Sequence, residues 1–234
     1  MTIEIHALDG IPEINRGDDL GVLITEAVAI SGLVLQAGDA LVVTHKIVSK
    51  AEGAVRLLEG DEEAAYRALA LEEAAEVIRR RGDLIIAKTK HGFICANAGV
   101  DRSNAAPGTA VLLPEDPDRS AHKIRKGIEA LTGIDVAVVI SDTFGRPWRR
   151  GLTDVAIGIS GMSAILDLKG TTDAQGRELH VTEVAVADEL AAAADLAMGK
   201  ASQMPVALVR GFEIPDGEGR AQDLVRGADE DMFR

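Results

Sequence analysis

Several features are scarce in this chain of 234 residues, and each shortage removes a class of function. There is one cysteine, Cys95, so no internal disulfide can form and a reducing compartment suits the chain. Aromatic residues make up 3% of the sequence, too few for the stacking platforms that hold single-stranded nucleic acids. Positive charge is in deficit. The 25 Lys and Arg stand against 38 Asp and Glu, a formal net charge of −13, which argues against nucleic acid or an anionic membrane as the main partner. No apolar run approaches the roughly 20 residues of a membrane span. The opening MTIEIHALDG also lacks the basic start and apolar stretch of a signal peptide. A soluble, cytoplasmic protein is expected.

Common catalytic signatures are missing too. There is no G-x-x-x-x-G-K-[ST] phosphate loop and no G-x-G-x-x-G after a strand. Neither H-E-x-x-H nor a cysteine pair offers a zinc site, and G-x-S-x-G is absent.

What is present is an ordinary globular composition, 47% hydrophobic, with aliphatic side chains left to fill the core. Alternation over Thr2–Leu8 predicts a strand, and a Gly/Pro/Asn/Asp-rich loop follows it. Asp18 or Asp19 should cap a helix over Leu20–Ser31. ALVVTHKIVS predicts a strand, and EEAAYRALALEEAAEVIRRR a helix over Glu62–Arg81, acidic first and basic last. Short β-like runs then lead to a helix from Pro117-Asp118 closed by Gly133. DVAVVISD is the clearest buried strand, and TDVAIGISGM continues the β pattern. The Ala-rich VTEVAVADELAAAADLAMGK predicts a helix, and PVALVR a last strand. Without a regular βαβ rhythm the order favours an α+β fold with mixed, largely antiparallel sheets, read as one domain over 1–234, with a division into two structural subdomains left open.

Three polar clusters stand at the ends of apolar runs. In SDTFGRPWRRG, Asp142 and Thr143 offer hard oxygen ligands for Mg²⁺ or Mn²⁺, and Arg146, Arg149 and Arg150 suit phosphate or carboxylate. The plain alternative is a capped turn with its arginines in solvent. In NAGVDRSNAAPG, Asp101 and Asn104 either satisfy their own turn or, with Asp101 beside Asp142, share a cation. Two carboxylates about 4 Å apart would otherwise repel by roughly 4 kcal/mol. In THKIVSKAEG, His45, Lys46 and Lys50 form either a phosphate-binding group or a solvated basic edge. Cys95 reads as a packing residue. Together the clusters suggest a metal–phosphate centre. A phosphohydrolase or a non-catalytic nucleotide-binding module would need similar groups.

In order along the chain, GIPEI, GDDL, ALVVTHKIVSKAEG, NAGVDRSN, LLPEDPD, ISDTFGRPWRRG, AIGISGM, DLKGTTDAQGRELHVTEVAVADELAAAADLAMGK, PVALVRG and DLVRGADEDMFR resemble the coenzyme F420-0:L-glutamate ligase family. The resemblance implies a family-specific α+β fold without a P-loop, and a homodimer. It also implies GTP-dependent joining of L-glutamate to the deazaflavin precursor F420-0 through an acyl phosphate, with successive γ-linked additions releasing GDP and phosphate. Two divalent cations, Mg²⁺ or Mn²⁺, and a monovalent cation such as K⁺ belong to that expectation. Carried over by position, Asp101, Asp142 and Thr143 match metal ligands. Ile11, Pro12, Glu13, Ile14, His45, Lys46, Lys50 and Asn104 match GTP contacts. Gly199, Lys200, Ala201, Ser202 and Gln203 match a late nucleotide loop that often supplies an acidic metal ligand. Gln203 is the nearest candidate here, and its amide oxygen is a weaker ligand than a carboxylate.

Overall fold

Three aliphatic strands, β2 (Ala40–Thr44), β8 (Ala137–Arg146) and β12 (Val206–Arg210), build the centre of the molecule. In the computed structural model, which describes residues 2–200 and 202–232, their cores are buried at successive positions, so the sheet is covered on both faces. The sheet runs β1 (Glu4–Ala7), β12, β2, β8, β9 (Arg149–Ser160). β2 and β8 are parallel, and the other pairings are antiparallel. The class is α+β, as the sequence predicts.

Helices α1 (Leu20–Ile30) and α4 (Pro117–Thr132) pack against each other, with Gly21 facing Gly127 where they meet. Asp19 caps α1, accepting from Gly21 and Val22, and Gly133 closes α4 in the left-handed conformation. The first turn of α4 lies on β9 so closely that a Cβ on Gly158 would stand 2.5 Å from the Pro117 carbonyl oxygen. Helix α5 (Val186–Met198) packs on strands of the same sheet, and its Asp188 accepts from the backbone N–H of Ala156 in β9. Arg210 holds the far end of the sheet with a bidentate contact to buried Asp39, at 2.8 and 2.7 Å.

Between β2 and α4 lies a smaller lobe. It contains α2 (His45–Glu52), β3 (Val55–Leu57) paired with β7 (Thr109–Val111), α3 (Glu62–Glu73), and the sheet β4 (Ala74–Arg81), β5 (Leu84–Thr89), β6 (Ile94–Ala96). Its own apolar cluster includes Leu58, Ala70, Ile85, Ala87, Val100 and Leu112. A hairpin of β10 (Leu166–Asp167) and β11 (Glu183–Val184) precedes α5.

Three predicted elements differ from those observed. The run VTEVAVADELAAAADLAMGK is helical only over Val186–Met198, and its Glu183–Val184 pairs with β10. The run Glu62–Arg81 is helical only to Glu73, after which Ala74 turns extended and β4 pairs with β5. Ala, Glu and Arg favour a helix, but pairing with β5 overrides that preference. Exposed arginines and two register shifts mark β4 as an edge strand. The run ALVVTHKIVS is a strand only to Thr44, and His45 begins α2. Ile47 and Val48 suggest a strand, yet Ile47, Val48 and Ser49 are buried in succession with His45 a turn before, as on the wide inner face of a helix, and left-handed Gly53 ends it.

Candidate active site

The parallel strands β2 and β8 end side by side, with Thr44 opposite Ser141. Ligand sites form beyond such carboxyl ends, where the chain departs in different directions. Here β2 passes directly into α2, while β8 runs on into a long hairpin with β9. A cavity of about 740 Å³ opens at this point. The loop at Ile11, Pro12, Glu13 and Ile14, the start of α2, Asn104, the β8–β9 pair and the end of α5 all contribute walls.

The first turn of α2 presents His45 and Lys46, and Lys50 follows one turn later. Thr44 makes no side-chain cap, so the first N–H groups of α2 remain available, an arrangement that attracts anions. Lys46 and Lys50 stack at i, i+4 along one face. Lys50 Nζ lies 2.6 Å from Glu13 Oε1, and Lys46 Nζ lies 2.8 Å from Asp101 Oδ2. Burial pushes the Asp101 carboxyl up, but hydrogen bonds from Lys46 and Ser103 outweigh it and hold the group below the usual carboxylate range.

Asp142 and Thr143 lie on β8, their strand identity set by pairing with Val155 and Asp154. His45 is 1% exposed, and its Nε2 sits 3.2 Å from Asp142 Oδ1 without the alignment of a hydrogen bond. On the other side of the strand, Ser141 Oγ donates to Asp154 Oδ2 at 2.9 Å, and Thr143 Oγ1 donates to Asp154 Oδ1 at 2.6 Å. Asp154 is buried, at 3% exposure. Lys200 Nζ closes this group, touching Thr143 Oγ1 and lying 3.5 Å from Asp154 Oδ1 and 4.0 Å from Asp195 Oδ1. Burial and the charge of Asp154 push the Asp195 carboxyl up, with Lys200 acting the other way.

Most of the expected site residues therefore meet. Ile11 to Ile14, His45, Lys46, Lys50, Asn104, Asp142, Thr143, Gly199, Lys200 and Gln203 line the cavity. Asp101 stands behind Lys46 and touches a lysine where the sequence suggested a second carboxylate. Exposed Ser202 donates its hydroxyl to the Met198 carbonyl, and Ala201 lies outside the described residues. Arg146, Arg149 and Arg150 occupy the exposed tip of the β8–β9 hairpin, around the Pro147-Trp148 turn, and form none of the cavity walls. Arg146 is engaged with the Arg150 carbonyl, Nη2 to O, at 2.6 Å. Hairpin extension carries these arginines past the site that begins at their own strand.

Two residues were missed by sequence reading, Asp154 and Asp195. Asp154 is an acid immediately before the apolar run VAIGI of β9, which is a usable signal. Its partners depend on the hairpin register, and that is not visible locally.

Among the described residues no three His, Cys, Asp or Glu side chains form a metal-holding group. Two oxygen-bearing positions, Asp142 on one side of the strand and Thr143 with Asp154 on the other, still suit Mg²⁺ or Mn²⁺, which commonly take one or two carboxylates and complete their shell with water and phosphate. Its chemistry does not suit zinc, which prefers nitrogen and sulfur.

Comparison with known proteins shows the family of this chain. Residues 10–211 match the model of the F420-0:Gamma-glutamyl ligase family. The chain is 43% identical, over all of both proteins, to the Coenzyme F420:L-glutamate ligase of Methanothermobacter thermautotrophicus. It is 45% identical to the protein of that name in Methanocaldococcus jannaschii, covering 86% of each chain. With the Methanopyrus kandleri protein it shares 41% identity over all of this chain and 98% of the other. The chain belongs to the F420-0:gamma-glutamyl ligase family.

Proposed function

We infer that this cavity is where the ligase joins L-glutamate to F420-0 at the expense of GTP and with divalent cation bound. The observation that carries this reading is the meeting of two halves in a single cavity. One is the uncapped α2 start with Lys46 and Lys50, suited to phosphates; the other is Asp142-Thr143 with Asp154, suited to a hard cation.

A carboxylate is a poor electrophile, so the F420-0 carboxylate must first be activated. One of its oxygens attacks the γ-phosphorus of GTP, the bond to the bridging oxygen breaks, and GDP leaves. The glutamate amine then attacks the acyl carbon, phosphate departs with the bonding pair, and the amine loses a proton. Phosphoryl transfer depends mainly on positioning and charge neutralisation. Bound at Asp142, or at Thr143 with Asp154, divalent cation would supply charge neutralisation at the phosphates. Lys46, Lys50 and Lys200 supply the positive field on the walls, a role the sequence suggested for Arg146, Arg149 and Arg150. Repeated γ-linked additions, a monovalent cation and a homodimer belong to the same reading.

Asp142→Asn should lower ligation by about 100-fold or more, since it removes a charged ligand while keeping shape. Its thermal midpoint should stay within about 4 °C of the wild type. Wild-type turnover in this folded variant would remove Asp142 from the cation site. Phosphate release independent of glutamate would favour a phosphohydrolase, and GTP binding without product a non-catalytic module.

A further inference from the structure

Two of the expected metal ligands, Asp101 and Thr143, share a feature that the family relationship does not supply: each stands against a lysine ammonium. Lys46 Nζ stands 2.8 Å from Asp101 Oδ2, with the Ser103 hydroxyl donating to the same carboxylate oxygen. Lys200 Nζ touches Thr143 Oγ1 and lies 3.5 Å from Asp154 Oδ1 and 4.0 Å from Asp195 Oδ1. An ammonium is a compact point charge on a flexible stem, with donors but no acceptor. It can neutralise a carboxylate when no metal is present, and it can leave by simple rotation of its stem. Both lysines also line the cavity in which phosphates would sit.

We propose that Lys46 and Lys200 are resident counter-ions of the two cation seats, Asp101 and Thr143–Asp154, and that they give up these oxygens to divalent cation when nucleotide enters. This rests on the metal- and GTP-dependent reading above. Buried Asp154 needs a compensating positive charge in either state, because an unpaired carboxylate in such a place is strongly disfavoured. Divalent cation and ammonium cannot share the same oxygens without mutual repulsion, so one replaces the other. Phosphate groups arriving with the nucleotide give the displaced ammoniums a new acceptor. Cation alone must therefore compete with lysine, whereas cation with nucleotide does not. The seat at Thr143 takes its carboxylate from Asp154, which makes the weak amide ligand Gln203 unnecessary there.

The test is Mn²⁺ binding to the full chain, counting free ion by its electron paramagnetic resonance at fixed ionic strength, first alone and then with GDP. Lys46→Met and Lys200→Met should each bind Mn²⁺ alone roughly three- to tenfold more tightly than wild type, the scale of a lost ion-pair competitor. Lys200→Arg, which keeps the charge, should gain less Mn²⁺ affinity than Lys200→Met. Lys90→Met, which removes the partner of Glu73 outside the cavity, should change nothing. GDP should tighten Mn²⁺ binding more in wild type than in either methionine variant. If wild type binds Mn²⁺ with GDP but neither methionine variant gains affinity for Mn²⁺ alone, the exchange is overturned while the ligase reading stands. If no protein binds Mn²⁺ with or without GDP, the exchange and the metal-dependent reading both fail.

Discussion

Cys95 shows how far one residue's chemistry is set by its neighbours. It lies on β6, buried at 6% exposure, and burial together with the negative charge of Asp142 pushes its thiol up to about 12. The reactive form of cysteine is the thiolate, so this side chain packs and does not attack. At pH 8 the native protein should leave Cys95 unmodified by a thiol-reactive disulfide reagent, and denaturant should expose it fully. Native labelling at the rate of a free thiol would contradict that placement. The sequence allowed this reading, since FICA is an apolar run. It also showed Asp142, Thr143, Lys46 and Lys50 as polar groups at the ends of apolar runs. Asp154 stayed hidden because its importance lies in facing Ser141 and Thr143, a consequence of hairpin register. The arginines stood out through charge, but their destination depends on how far β8 and β9 continue.

Among the elements, capped helices were legible and helix-to-strand transitions were not. Asp19 before α1 and Gly133 after α4 act as local signals, and both hold in the structure. The change from α3 to β4 has no such signal, because β5 decides it across a turn at Gly82. The start of α2 is similar, and it matters more, since a helix there places its open N-terminus and Lys46 at the cavity. A second local device ties α4 to the segment leading into β8. Arg125 Nε donates to Asp135 Oδ1 at 2.6 Å, and Nη2 reaches Oδ2 of the same carboxylate. Hydrogen bonding from Arg125 holds the Asp135 carboxyl below its ordinary range despite some burial. A lowered folded pKa means the unfolded chain binds the proton more tightly. The contribution is therefore present above the unfolded value of about 3.9 and is lost as pH falls through the folded value. Asp135 is half-exposed, so the pair is worth less than about 1 kcal/mol. Urea unfolding should find Asp135→Asn weaker than wild type by up to that amount at pH 7, and equal to it near pH 2. An equal deficit at both values would refute the ion-pair account.

For the whole molecule, charge and topology point to the same place. Against a net charge of −13, Lys46, Lys50 and Lys200 gather on the walls of one cavity, each beside an acidic group. The main sheet supplies Asp142, Thr143 and Asp154, while α2 and the segment carrying Asp101 and Asn104 bring residues from the direction of the smaller lobe. No described helix is long and apolar enough to cross a membrane. The α+β class was readable from the irregular order of elements; the second apolar cluster was not, because β3 and β7 meet only across α3 and the β4–β6 sheet. The most direct test of the account is mass spectrometry of a reaction containing the protein, F420-0, GTP, Mn²⁺ and L-glutamate, with free phosphate followed in parallel. A ladder of glutamate-sized additions to F420-0, matched by phosphate release and absent without GTP or cation, is the predicted result. Phosphate released with no mass added to F420-0, or glutamate added equally well without GTP, would contradict it.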